Sequence, residues 1–207
     1  MINFRVKRTV IAATLLLAFL VVGGFSSTAS AITVFEDNFN RSDSDTLGNG
    51  WSGTENDSND VAIRDNGMRL RSDDPNAVAA QLSINTSGFN NIKLSYDWAA
   101  ITDSSSSDDL YIEWKLGSSP NWTELAHHTL GGSGSFSSNL ENLIGADNKS
   151  DIEFRFRLDV NSGEDGALID NVKLTGDKIA SVPEPASFVL LGLGLLGTGW
   201  VARRRQK

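Results

Sequence analysis

The chain has 207 residues, with 26 Asp and Glu against 18 Lys and Arg, a net charge of −8, and no cysteine. That balance repels polyanions and argues against nucleic acid as a partner, while the lack of cysteine excludes any disulfide framework. Three basic residues sit in the first 31 positions and four after Ala202, leaving 11 against 25 acidic residues in positions 32–181, a net charge of −14 on a segment that attracts cations.

At the start of the chain, Arg5, Lys7 and Arg8 precede an apolar run from Val10 to Val22, and Ala29-Ser30-Ala31 follows as a small-x-small site. This order predicts a signal peptide, residues 1–31, cut by signal peptidase after Ala31. A membrane anchor needs about 20 apolar residues, and here polar Ser26 to Ser30 interrupt the run. The exported segment is then residues 32–181, one domain of ordinary size.

Within that segment the dominant period is two. Ile92, Leu94, Tyr96 and Trp98 alternate with polar residues, as do Leu110, Ile112, Trp114 and Leu116, and again Ile152, Phe154, Phe156 and Leu158. Each run predicts a strand with one buried face. Shorter apolar-rich runs at Val34 to Phe39, Met68 to Arg71, Ala77 to Ile84, Trp122 to Leu130 and Leu168 to Leu174 predict further strands. Loop formers crowd Ser42 to Asp60, Asp103 to Asp109 and Gly131 to Ser138. About eight strands with no 3.6-residue periodicity must bury their apolar faces on one another, which predicts an all-β, antiparallel β-sandwich of jelly-roll type. Uneven strand spacing and long loops fit an up-and-down barrel less well.

The chain ends with Val182-Pro183-Glu184-Pro185, an apolar and glycine-rich run from Ala186 to Ala202, and a basic stop of Arg203, Arg204, Arg205 and Lys207. As a transmembrane helix the 17 residues would rise about 25 Å, close to the thickness of a hydrocarbon core. Cytoplasmic arginines would place the folded segment outside the inner membrane. Gly192, Gly194 and Gly197 spell a dinucleotide-binding pattern, but no strand precedes it, and close helix contact in lipid explains the glycines better. This three-part order, residues 182–207, resembles the PEP-CTERM sorting signal. The resemblance implies that an exosortase-type membrane protease recognises Pro183, Glu184 and Pro185 and removes the tail.

Phe35-Glu36-Asp37-Asn38-Phe39, Gly50-Trp51, Pro120-Asn121-Trp122-Thr123 and Ile169-Asp170-Asn171-Val172 occur in an order similar to that of concanavalin-A-like and MAM-like lectin sandwiches and related carbohydrate-binding modules. The resemblance implies that the first and last strands lie side by side. It also implies a structural calcium, Ca2+, where they meet, held by the carboxylates of Glu36, Asp37 and Asp170.

Sugar recognition calls for flat aromatic rings. Tyr96, Trp98 and Trp114 fall on the apolar sides of their strands and read as core. Tyr111 falls on the opposite face, and Trp51 and Trp122 lie in loop-like surroundings, so these three are the ligand-binding candidates. His127 and His128 are neighbours on a strand and point to opposite faces, which prevents joint metal chelation or a shared acid-base role. No G-x-S-x-G elbow occurs. Glycoside hydrolysis needs two carboxylates about 5–9 Å apart, yet Glu113 and Glu153 stand among Lys115, Arg155 and Arg157, which would keep them ionised and poor as general acids. The sequence therefore reads as an exported, non-catalytic module of the cell surface or extracellular matrix that binds polysaccharide. The alternatives are a structural matrix protein without sugar binding and, less fitting, a glycoside hydrolase.

Overall fold

A computed structural model describes residues 30–179, except 56, 58, 73–77, 102–107, 132–133 and 161–164. Ala29 of the expected signal-peptide site, Pro183, Glu184 and Pro185, the apolar run and the basic stop lie outside the described residues.

Among the described residues eleven strands follow in chain order: β1 Ala31–Asp37, β2 Ser52–Thr54, β3 Val61–Arg64, β4 Gly67–Ser72, β5 Ala79–Ile84, β6 Phe89–Ala100, β7 Asp109–Leu116, β8 Thr123–Thr129, β9 Ser137–Asn142, β10 Ile152–Asp159 and β11 Asp165–Lys178. They form two antiparallel sheets. One has the order β3-β4-β11-β6-β9 with β1 also on β11, and the other is β2-β5-β10-β7-β8. From β4 onward the chain crosses repeatedly between the sheets, the connectivity of a jelly-roll sandwich. The first strand lies beside the last, with Ile32 opposite Gly176 and Asp37 opposite Val172.

Alternation builds the core as expected. On β10, Ile152, Phe154, Phe156 and Leu158 are fully buried, while the residues between them are half-buried on the outer face. Across the sandwich Leu94, Met68 and Ile169 close the interior with Tyr96, whose ring meets Phe156 edge-on at 5.3 Å.

Three strands lie within or beside stretches that read as loops. β2 falls inside the 42–60 stretch and is only three residues long. β3 pairs with β4 through Asp65 (φ 53°) and Asn66 (φ 58°), the two left-handed positions of a tight hairpin turn. β9, Ser-Ser-Asn-Leu-Glu-Asn, is an edge strand whose side chains are exposed or half-buried, so no apolar alternation marks it.

Candidate functional site

The outer face of the second sheet gathers the polar and aromatic positions that alternation turns away from the core. The ladder registers align Ser52, Gln81, Arg155, Glu113 and Glu124 in one row across all five strands. The next row holds Thr54, Ala79, Arg157, Tyr111 and His127.

Glu113 is the hub. Its Oε2 accepts from Arg155 Nε at 2.7 Å and from Arg157 Nε at 3.0 Å, and its Oε1 accepts from Arg157 Nη2 at 3.3 Å. Burial alone would push the Glu113 carboxyl up, but the hydrogen bonds and charges of Arg157 and Arg155 outweigh it and hold the group below the usual carboxylate range. Beside it, Lys115 Nζ pairs with Glu153 Oε2 at 3.1 Å. Each of these cations thus has a carboxylate partner, and the face offers both donors and acceptors.

Two rings are braced against these cations. The Arg155 guanidinium lies 4.1 Å from the Trp122 centroid, with Lys115 Nζ at 4.8 Å, and the Arg157 guanidinium lies 4.3 Å from the Tyr111 centroid. Arg155 and Arg157 are alternate residues of β10, about 7 Å apart along the strand, so the rings sit over successive outward positions. His127 flanks Tyr111 at 5.7 Å, and its Nδ1 lies 2.9 Å from Glu124 Oε1, a hydrogen bond that raises the imidazole pKa. His128 points inward, stacks on Trp98 at 4.6 Å and bonds the Tyr96 hydroxyl at 2.8 Å. The neighbouring histidines are divided by the sheet. Arg155, Arg157, Gln81 and Glu124 join the candidate face, although in sequence only their alternation with core residues marks them.

Trp51 does not join it. Only 7% exposed, it packs on Phe39, Phe154 and Phe156 in the core and donates Nε1–H to Asp37 Oδ2 at 3.2 Å. It follows a loop bearing Gly48, Asn49 and Gly50, all with positive φ, which folds the ring inward. Among the three aromatic candidates, Tyr111 and Trp122 share the outer face, and the Trp51 assignment is corrected to core.

On the other sheet a cavity of about 590 Å³ opens where β1 meets β11, lined by Glu36, Asp37, Arg41, Asn49, Asn171 and Lys173 among others. Asp37 is nearly buried and its oxygens are taken. Arg41 grips it with Nη1 at 2.8 Å and Nη2 at 3.0 Å, and the Phe39 N–H donates at 2.9 Å. These bonds lower its pKa against the upward push of burial. Glu36 Oε2 faces Lys173 Nζ at 3.6 Å, while Asp170 accepts from Asn171. Burial raises the Asp170 pKa, as do the charges of Asp97 and Asp37. Calcium requires six to eight oxygens, and the donors around Glu36, Asp37 and Asp170 do not fit it, because an arginine fork already fills the cationic role. Among the described residues no group of three or more His, Cys, Asp or Glu could hold a metal ion.

Comparison with known proteins supplies two findings. A family model described as the PEP-CTERM protein-sorting motif matches residues 181–205. No curated protein matches the chain. Among solved structures, a xylan-binding module, CBM15, superposes with a TM-score of 0.52 at 13% identity over 73% of this chain and 99% of its own. A CBM22-1 xylan-binding domain from Paenibacillus barcinonensis gives 0.49 at 10% identity over 74% and 100%, and a family 29 carbohydrate-binding module gives 0.48 at 14% identity over 78% and 98%. At such identities the likeness is one of fold. The chain is an exported protein that carries a PEP-CTERM sorting motif behind a β-sandwich of the architecture found in carbohydrate-binding modules.

Proposed function

We propose that the sandwich is a non-catalytic polysaccharide-binding module, delivered to the cell surface or extracellular matrix once an exosortase-type protease has removed the tail at Pro183-Glu184-Pro185. One observation carries the binding reading. Trp122 and Tyr111 stand braced by Arg155 and Arg157 on a continuous polar face whose charges are paired. Rings provide surfaces for the faces of sugar rings, and the surrounding amide, guanidinium and carboxylate groups match hydroxyls. The terminal nitrogens of Arg155 make no hydrogen bond among the described residues, so a donor edge remains beside Trp122.

Catalysis is disfavoured by the same geometry. Glu113, the most central carboxylate of the face, is kept ionised by two arginines and cannot lend a proton to a leaving group. A second reading, a structural matrix protein without sugar binding, draws on the rings being stacked on arginines already. Affinity electrophoresis in gels containing the producer's own polysaccharide separates the two. The parent segment should be retarded, and the Tyr111→Ala/Trp122→Ala variant should run about tenfold weaker in affinity, a loss of about 1.4 kcal/mol. A parent segment that no polymer gel retards would give the structural reading the case, and equal retardation of parent and variant would take the binding away from Tyr111 and Trp122.

A further inference from the structure

The exposed apolar residues of the sandwich are not spread evenly. Of six large hydrophobic side chains exposed among the described residues, four, Ile32 (41%), Leu116 (37%), Ile144 (86%) and Ile179 (41%), lie at one end. The hydrogen bonds locate that end. Ile32 is opposite Gly176, the Ile179 N–H donates to the Gly88 carbonyl, and the Leu143 N–H donates to the Ile92 carbonyl one residue before Ile144. Leu116 is opposite Ile152, just after Lys149, whose carbonyl accepts from the Thr86 N–H.

Charge is also redistributed there. Lys93, Lys149 and Lys178, three of the five lysines in residues 32–181, belong to this end, and none forms an ion pair among the described residues. The local acids are Asp147, Asp151, Asp177 and Glu141, the last opposite Leu94 beside Lys93, and two of them are engaged: Asp147 accepts from the Ile92 N–H at 3.2 Å and Asp177 from Asn91 Nδ2 at 2.8 Å. A segment that is acidic as a whole is therefore close to balanced here, with ammonium groups that form no ion pair among the described residues lying near isoleucines.

Chain length then fixes the neighbour. Six residues separate Ile179 from Ala186, where the 17-residue apolar run begins. Fully extended, that tether reaches at most about 25 Å. β11 has 14 residues and is about 45 Å long, so the far end of the sandwich cannot be brought down to the bilayer in its place. The apolar end is therefore the one held near the start of the apolar run.

We propose that this end is a bilayer-docking face that acts while the tail is attached. Ile32, Leu116, Ile144 and Ile179 settle into the headgroup layer, and Lys93, Lys149 and Lys178 meet lipid phosphates. A few partly exposed isoleucines bind a bilayer too weakly to hold a free protein. The tether supplies a high effective concentration, so the contact forms before cleavage and dissolves after it. Docking thus orients the sandwich beside the sorting motif, and release follows from losing the tail.

The absence of cysteine makes the test direct, because a single introduced thiol can be labelled. The full-length chain is reconstituted in phosphatidylethanolamine/phosphatidylglycerol vesicles doped with a headgroup quencher. A fluorophore is placed on Ser150→Cys at the docking end or on Ser137→Cys, opposite Trp98 toward the other end. The Ser150 label should be quenched several-fold more than the Ser137 label. Combining Ile32→Ser, Ile144→Ser and Ile179→Ser, all at exposed positions and checked for an unchanged melting curve, should remove most of that contrast. Equal quenching in the unmodified chain overturns the proposal, as does a contrast that survives the triple substitution or a chain that floats free of the vesicles. Energy transfer between Ser150 labels on two chains, without lipid quenching, would assign the face to a second copy and overturn it equally.

Discussion

Replacing Asp37 with asparagine removes one charge and almost no volume, and the structure predicts a large effect. The carboxylate is 5% exposed and receives Arg41 through two nitrogens, the Phe39 N–H, and Trp51 Nε1–H. Asparagine keeps a single acceptor oxygen, so its amide NH₂ must face Arg41 and the buried Trp51 N–H, donor against donor. Losing a charge-assisted bond costs about 1.5–3 kcal/mol and stranding a buried N–H about 1–3 kcal/mol, and the two overlap, giving about 3 kcal/mol. For a domain of this size that lowers Tm by about 6–12 °C. Circular dichroism melts at pH 7 measure it, and Trp51→Phe in the same background should recover about 1 kcal/mol of coupling, since the stranded donor is then gone. Chelation by EGTA should leave Tm unchanged. An Asp37→Asn variant melting within about 2 °C of the parent, or a clear fall on adding EGTA, would refute the arginine-for-cation account of this corner.

Glu113 should show its arginine contacts in the acid limb of stability. Its folded pKa lies below the unfolded one, so the stability it contributes is complete above the unfolded value near pH 4.3 and is lost as pH falls through the folded value; Glu113→Gln should therefore differ from the parent at pH 7 and converge with it in acid, in urea melts run at both pH values. A constant difference across that range would show that the carboxylate charge is not what holds Arg155 and Arg157. Alanines at Pro183, Glu184 and Pro185 should leave the full-length form in the inner membrane on cell fractionation, and release at the parental rate would remove the sorting motif from the account.

How much of this was legible in the sequence depends on which face of a strand carries the signal. Phe154 and Arg155 illustrate the readable part: period-two alternation assigns one to the core and the other to the outer face, and the ladder aligns Arg155 with Glu113 as the register requires. β9 illustrates the unreadable part, because an edge strand with little burial has no alternation to detect. Trp51 is hidden in the sequence for a different reason. Its loop surroundings are polar and glycine-rich, and only the left-handed turn at Gly48 to Gly50 reveals that the ring swings beneath Asp37 into the core. The arginine at the same corner is equally hidden, since Arg41 is four residues from Asp37 and nothing in their spacing says which cation the carboxylate will face. The docking end was hidden more deeply still. Ile32, Leu116, Ile144 and Ile179 are scattered over 148 positions, and only the pairing of β1 with β11 and of the 143–149 segment with β6 gathers them beside the residue from which the sorting tail departs. Topology, which sequence periodicity cannot supply, is what turns four isolated apolar residues into one surface.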